Sequence, residues 1–261
     1  MTDIESLVTL ARHYCIENYN YWHQRYSGER SGQMYSDNDY NIFPRYNVLN
    51  AILQGIETII DKKYNSIDDC KNELKYIGKT SQTIFTKVRL TKEKRDKVKN
   101  NAMNEERDKF ILFIDNIQEK DLYEVSPLPY NRKLSQNESK EIYKQLYNSW
   151  GFSGFTWNQS ESKKEIIFLM EKHITDDEKN KIIEHIFKYD KRFFTISEME
   201  DDYETEIIKI DLSETIYTNK NFDWIIYSSH ENYITFGGII LLDFLKELFS
   251  DRKEKFNVYE W

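Results

Sequence analysis

The chain of 261 residues carries 37 basic and 45 acidic side chains, which gives a net charge of −8, and 39% of its residues are hydrophobic. With 8 glycines and 3 prolines, it is neither collagen-like nor a low-complexity linker, and its aromatic content of 15% argues against disorder. The length allows one large domain or two modest ones.

Several functional classes are excluded or disfavoured by simple features. The longest apolar run, residues 239–242, is far shorter than the roughly 20 residues of a membrane helix. Because the chain starts without a basic and apolar leader, we predict a cytoplasmic protein in which Cys15 and Cys70 are free thiols. Neither cysteine belongs to a metal-ligand pattern, so no metal and no cofactor is predicted. The negative net charge disfavours nucleic acid as a partner.

A domain boundary is predicted near residue 130, because Pro127 and Pro129 end the preceding helix and favour an extended crossing. Residues 1–130 hold 19 basic and 20 acidic groups, a net charge of −1, whereas residues 131–261 hold 18 and 25, a net charge of −7. We therefore predict a helical domain over residues 1–125 and a second, acidic domain over residues 130–261.

Four helices are predicted in the first half. Apolar side chains recur every three or four residues from Ile4 to Trp22, from Leu49 to Ile60, from Ser66 to Ile77 and over about residues 91–118. Pro44 suits the first turn of the second helix, where its missing N–H is not needed. Helices of this number and length are typical of a bundle.

The stretch from Lys87 to Lys99 holds seven basic and two acidic side chains. No aromatic residue is interleaved with them, so the pattern favours a solvated helix face over a nucleic-acid-binding segment.

The second half mixes strand and helix patterns. Ser135 with Glu138 and Thr175 with Glu178 form capping-box patterns that predict two helix starts. Strands are predicted at residues 166–170, 193–196, 206–210, 222–227 and 233–236, and a closing helix at 241–249. Short polar turns between the strands favour antiparallel pairing. The predicted fold class is α+β, with an N-terminal helical bundle followed by a mainly antiparallel sheet with flanking helices.

The acidic run from Glu198 to Glu206 has two interpretations. It can gather a hard cation such as Mg²⁺ or Ca²⁺, or it can form a solvated hairpin turn, and the lack of a central glycine favours the turn.

His230 is the most informative titratable group, because a histidine at the end of a buried strand can act as acid, base or ligand. The alternative is a histidine whose ring nitrogens tie a turn to its neighbours. In the enzyme hypothesis, His230 is the general acid or base, Glu231 orients it or binds a cation, and Arg132 holds an anion. Trp157 and Trp224 then line a pocket between the helical half and the sheet.

Two stretches resemble a widespread family of uncharacterised bacterial proteins with Leu-Pro-Tyr-x-Arg and Trp-Ile-x-Tyr-x-Ser-His-Glu motifs. They are Leu128-Pro129-Tyr130-Asn131-Arg132 and Trp224-Ile225-Ile226-Tyr227-Ser228-Ser229-His230-Glu231. The resemblance covers most of residues 125–250. It departs at residues 155–158, where the family has tyrosine and proline, and at Asn131, where the family tends to have arginine. The resemblance implies a fold for this region and no particular activity.

The favoured functional hypothesis is a cytosolic bacterial binding protein rather than an enzyme, of the immunity type or a phage-defence accessory factor. Its acidic C-terminal half would attract a basic protein partner. The predicted binding residues are Arg132, Trp157, Trp224 and Tyr227, with the aromatic ones as exposed anchors. No oligomeric state is predicted.

Overall fold

The computed structural model describes residues 1–30, 35–87, 93–211 and 213–259. The chain divides into two compact units, Met1–Leu128 and Pro129–Trp261. The division falls within the proline-containing segment at residues 126–129. In the described parts of the chain, no helix combines the length and the apolar character that a bilayer span requires.

The N-terminal unit is helical. Its helices are α1 (Asp3–Glu29), α2 (Asp39–Glu57), α3 (Ile67–Thr80) and α4 (Lys94–Asn116), followed by a short 3₁₀ helix at Glu119–Leu122. The apolar stripes of all four helices meet in one core that includes Leu7, Ile52, Leu74 and Phe110. The predicted helical bundle is thereby confirmed. Both cysteines are free thiols buried in this core.

In the N-terminal unit, α1 and α3 begin with a side-chain cap, whereas α2 and α4 do not. The Ser66 hydroxyl accepts a hydrogen bond of 3.1 Å from the Asp69 N–H and so begins α3 as the sequence predicts. The prediction for Pro44 was wrong, because α2 already begins at Asp39 and Pro44 lies in its second turn. Residues 91 and 92, where the fourth helix was predicted to begin, lie outside the described residues.

The C-terminal unit is built on a seven-stranded sheet in which every neighbouring pair is antiparallel. In chain order its elements are β1 (Asn131–Lys133), α5 (Gln136–Trp150), β2 (Ile166–Met170), α6 (Asp176–Phe187), β3 (Phe193–Ser197), β4 (Tyr203–Thr205), β5 (Thr215–Thr218), β6 (Ile225–Ser228), β7 (Tyr233–Gly237) and α7 (Ile239–Leu248). The strand order is β1-β4-β3-β5-β6-β7-β2. The strand that leads to His230, β6, is therefore an interior strand, as expected.

Both faces of this sheet are covered. On one face, apolar residues of β6 and β7 such as Ile226 and Phe236 pack with α6 and α7. On the other face, Ile216 of β5 and Ile225 of β6 pack with α5 and with Trp157. The result is a three-layer α+β unit, which confirms the predicted fold class.

The strand assignment differs from the prediction in three places, the first being that the strand predicted from residue 222 begins only at Ile225. Residues 206–210 do not form a strand, and the strand in this region is the shorter β4, which ends at Thr205. The strands β1 and β5 were not predicted. After β7 the chain turns at Gly238, which has φ +104 and precedes α7, and a Cβ there would lie 2.4 Å from the Asp223 carbonyl oxygen.

Candidate functional site

A cleft of about 550 Å³ lies where β3 ends and β5 begins. Its walls come from the turn between β3 and β4, from the chain before β5 and from the residue after the β6 end. The lining residues are Thr195, Ser197, Glu198, Met199, Glu200, Asp201, Tyr203, Lys209, Asp211, Ser213, Glu214, Thr215, Tyr217 and His230.

Carboxylates dominate the charge of this cleft. Glu198, Glu200 and Asp211 are exposed, and within the described ranges none of them forms an ion pair. Among the residues that line the cleft, the lysine that opposes this negative charge is Lys209. Because several like charges line the same cleft, the cleft has a negative potential that attracts cationic groups.

One wall of the cleft is fixed by Tyr217. Its hydroxyl donates to the Lys209 carbonyl oxygen at 2.9 Å and accepts from the Lys209 N–H at 3.2 Å. Burial raises the pKa of Tyr217 to about 12, so that the phenol is neutral at physiological pH. Tyr217 therefore holds the chain that carries Asp211 in place.

Glu214 and His230 meet at the edge of the cleft. The Nδ1–H of His230 donates to Glu214 Oε1, and the His230 backbone N–H donates to the same oxygen at 2.7 Å. The Ser229 hydroxyl donates to Glu214 Oε1 at 3.0 Å. The Tyr227 hydroxyl donates to Glu214 Oε2 at 2.6 Å. The Glu214 side chain is 6% exposed and that of His230 is 70% exposed. A buried carboxylate thus orients an exposed imidazole.

The charge state of Glu214 follows from two opposing effects. Burial raises the pKa of Glu214, but the hydrogen bonds from Tyr227, the His230 N–H, Ser229 and the His230 ring together lower it below its ordinary value. The carboxylate is therefore ionised at neutral pH. Burial and the hydrogen bond to this carboxylate raise the pKa of Tyr227, which acts as a neutral donor.

The acidic run beyond β3 divides into exposed and buried parts. Residues 198–200 are exposed in the turn between β3 and β4, as the hairpin interpretation predicts. Glu204 departs from it, because its side chain is 7% exposed and pairs with Arg132 at 3.0 Å and with Lys220 at 2.6 Å. Among the described residues, no group of three or more His, Cys, Asp or Glu side chains has an arrangement that could hold a metal ion.

The predicted site residues are only partly brought together. His230 lines the cleft, and the Tyr227 ring contacts the Trp157 ring at 6.2 Å between centroids. Trp224 belongs to the core on the opposite face of the sheet, where its Nε1–H donates to Asp190 at 2.7 Å. Glu231 is exposed, and the carboxylate that contacts the imidazole is that of Glu214 instead.

Arg132 lies on β1, at the edge of the sheet farthest from β2 and three strands away from β5. It bridges Glu204 and Glu138, the latter at 2.9 Å. Burial lowers the pKa of Arg132, and the hydrogen bonds to the two carboxylates outweigh this and raise it. Arg132 is therefore engaged in holding β1 to its neighbours rather than facing the cleft.

The expectation of exposed aromatic anchors was wrong. Trp157 is 3% exposed, and Trp224 and Tyr227 are each 2% exposed. All three rings fill the two cores of the C-terminal unit because large apolar surfaces are more stable away from water. Their contribution to any binding is indirect, through the position of neighbouring side chains.

Glu214 is the site residue that the sequence interpretation missed. It precedes His230 by 16 positions and lies directly before β5. The run Thr215-Ile216-Tyr217-Thr218 is β-branched and aromatic throughout, which is the pattern typical of a buried strand. Had that strand been predicted, its antiparallel pairing with β6 would have placed Glu214 near the residues that follow Ser228.

Comparison with protein-family models gives no match for this chain. Comparison with curated proteins gives no match. Comparison with solved structures gives no match. The function must therefore be argued from the cleft and its surroundings.

Proposed function

We propose that the C-terminal unit is a binding module whose acidic cleft takes a cationic segment of a protein partner. The observation that carries the proposal is the group of exposed carboxylates Glu198, Glu200 and Asp211, which form no ion pair within the described residues and line the same cleft. A lysine or arginine side chain entering the cleft would meet these carboxylates together, and charge-assisted hydrogen bonds to carboxylates are strong.

The charge of the whole unit supports the same function. Residues 131–261 hold 18 basic and 25 acidic groups, a net charge of −7. Such a field steers a cationic partner toward the protein and raises the association rate. A basic toxin or nuclease of a bacterial conflict system is a partner with this chemistry, and an immunity-type or phage-defence role is the corresponding biological proposal.

The test removes the cleft charges and measures the binding of a cationic peptide. The cleft variant carries Glu198→Gln, Glu200→Gln and Asp211→Asn in the full chain, and hexalysine and hexaarginine are titrated by calorimetry. We expect the cleft variant to bind the peptides at least about tenfold more weakly, because each removed carboxylate is a lost charge-assisted contact. Added salt should weaken the wild-type interaction.

The matched control removes the same number of charges elsewhere in the unit. Glu184→Gln on α6 together with Asp243→Asn and Glu247→Gln on α7 are exposed positions outside the cleft. This variant should bind like the wild type. Equal losses in both variants would show general charge attraction and contradict the cleft proposal.

Acid–base catalysis is a second candidate function, favoured by the contact between Glu214 and His230. With Nδ1–H donated to a buried carboxylate, a neutral imidazole has its lone pair on Nε2 and can accept a proton there. Glu214 would take the orienting role that the sequence hypothesis gave to Glu231. A reaction of this kind would deprotonate a water or a hydroxyl group of a substrate at the cleft edge.

A further inference from the structure

A second surface with ligand-binding chemistry lies in the N-terminal unit, at the start of α4. The Arg95 guanidinium carbon lies 5.5 Å from the centroid of the Tyr40 ring, and Lys99 Nζ lies 4.9 Å from the same centroid. Lys99 Nζ also lies 5.3 Å from the Phe43 ring centroid. The aromatic rings that the basic sequence lacks are therefore supplied by α2.

The aromatic group continues beyond α2. The Tyr35 ring stacks on the Tyr40 ring at 5.8 Å between centroids and 27° between planes. Arg30 lies 5.1 Å from the Tyr35 centroid. Tyr35 is 53% exposed, so part of this aromatic group is accessible from solvent.

A cavity of about 270 Å³ adjoins these rings. It is bordered by Phe43, Phe85, Lys87 and Lys99 among others. Phe85 is 67% exposed, although phenylalanine is among the residues most often buried. Phe85 borders the same cavity as the two lysines. A flat, uncharged group can stack on such a ring while lysines neutralise the negative charge attached to that group.

The basic groups Lys87, Arg95 and Lys99 lie near two carboxylates, Glu93 and Asp96, and Asp96 borders the same cavity. In the part of the chain that the structure describes, Lys87 and Lys99 form no ion pair. Arg95 pairs with Glu93 at 3.6 Å, with side chains 57% and 65% exposed. Exposed pairs of this length contribute little and exchange readily for another anion.

We propose that these residues, Tyr35, Tyr40, Phe85, Lys87, Arg95 and Lys99, form an aromatic–basic surface that binds single-stranded nucleic acid. The lysines and Arg95 contact phosphates, and bases stack on the rings of Tyr35 and Phe85. Bases in a duplex are stacked on one another, so their faces are accessible only in a single strand. An acidic peptide would pair with the basic side chains, but it would offer no planar group to stack on the exposed rings.

Net charge alone disfavours nucleic acid as a partner of this protein. The net charge of −8 opposes general attraction to phosphate. Binding is therefore confined to the aromatic–basic surface, where cations and rings coincide, and is independent of the acidic cleft of the C-terminal unit.

The experiment measures the fluorescence anisotropy of a labelled oligothymidylate of about 12 nucleotides, a length within the span of known single-strand-binding sites. The full-length protein is titrated into it over a series of salt concentrations. Tyr35→Ala and Phe85→Ala should each weaken binding about tenfold, the loss expected for one base stack. Lys87→Gln with Lys99→Gln should reduce the slope of log affinity against log salt by about 0.7 per lysine.

Matched controls come from the same unit. Tyr76→Ala and Tyr123→Ala remove rings that are 67% and 68% exposed, and Lys63→Gln with Lys120→Gln removes two exposed lysines elsewhere. These variants should bind like the wild type. The melting temperature of each variant shows whether it is folded. If a ring variant unfolds, the variant with Lys87→Gln and Lys99→Gln still tests the proposal.

Three results would overturn the proposal. The first is the absence of oligonucleotide binding at low salt. The second is equal binding of a duplex with no effect of Tyr35→Ala or Phe85→Ala. The third is binding of polyglutamate, or of vesicles rich in anionic lipid, with the same affinity and the same sensitivity to the variants, which would assign the surface to an acidic protein or a membrane.

Discussion

Glu214 determines what the end of β6 can do. Its carboxylate accepts hydrogen bonds from Tyr227, Ser229 and His230, and its backbone has φ +47, a conformation that non-glycine residues rarely adopt. A strained backbone position together with a buried, fully bonded carboxylate is typical of a site in which geometry is held for function. The same bonds also join β5 to the turn after β6.

Replacement of Glu214 by glutamine should reduce the free energy of unfolding by about 1–3 kcal/mol, because a buried acceptor with several donors is lost. The pKa of Glu214 is lowered in the folded state, since its hydrogen bonds outweigh burial. Its contribution is therefore fully present above the ordinary glutamate pKa of about 4.3 and is lost as the pH falls through the lower folded value. The difference between wild type and Glu214→Gln in urea unfolding should shrink below about pH 4.

Glu231→Gln is the matched control, because it makes the same chemical change next to His230 at an exposed position. It should leave the stability unchanged. Nitrogen-15 NMR of the imidazole adds a readout of orientation: neutral His230 should carry its proton on Nδ1 in the wild type and in Glu231→Gln, and lose that preference in Glu214→Gln. An unchanged tautomer in Glu214→Gln would contradict the orienting role and with it the acid–base function.

The contact between Glu214 and His230 also explains why only half of the site was predicted. His230 was identified because a histidine at the end of a predicted strand can be recognised from the sequence alone. Its partner was not, because the contact joins residues 16 positions apart across a strand pair. A choice between Glu214 and Glu231 requires the register of β5 against β6, which sequence proximity does not give.

At the scale of elements, the capping box of α5 is the clearest link between sequence and structure. The Glu138 N–H donates to the Ser135 hydroxyl at 3.3 Å, and the Ser135 N–H donates to Glu138 at 2.8 Å. Glu138 also pairs with Arg132 at 2.9 Å. The hydrogen bond from Arg132 outweighs burial and lowers the pKa of Glu138 to about 2. One cap therefore both starts a helix and joins it to β1.

Ser135→Ala should lower the free energy of unfolding by about 1 kcal/mol, since it removes the side-chain acceptor of an N-cap. Ser149→Ala, within the last turn of the same helix, is the control and should be neutral or slightly stabilising because alanine has the higher helix propensity. Urea denaturation followed by circular dichroism measures both. A Ser149→Ala variant as unstable as Ser135→Ala would show that the loss is not a capping effect.

Helices and strands whose sequence patterns lie within the element itself were predictable. Those that are stabilised by residues far away in the sequence were not. Both capping boxes begin helices where the sequence places them. The wrongly assigned strand at residues 206–210 contains Ile208 and Ile210, which are buried although they lie outside the sheet. In contrast, β4 has three residues with Glu204 at its centre. A buried glutamate in a strand is stable there because distant Arg132 and Lys220 neutralise it.

At the scale of the whole molecule, each unit has its own hydrophobic core. The core of the N-terminal unit is formed by residues of α1 to α4 and the following 3₁₀ helix, and the two cores of the C-terminal unit lie on the two faces of its sheet. Autonomous cores are the physical requirement for autonomous folding. The two proposed binding surfaces, acidic and aromatic–basic, therefore belong to separately stabilised units and can be tested separately.

We expect a fragment of residues 129–261 to fold and to melt cooperatively, because it contains the whole sheet and both of its cores. A fragment of residues 134–261 lacks β1 and leaves the buried Glu204 without Arg132. Removal of one partner of a buried charge is strongly destabilising, and with Lys220 still present we expect a loss of about 2–3 kcal/mol. Thermal melts monitored by circular dichroism compare the two fragments. An unfolded 129–261 fragment would contradict the independence of the C-terminal unit, and equal melting temperatures would show that β1 and its arginine are dispensable for it.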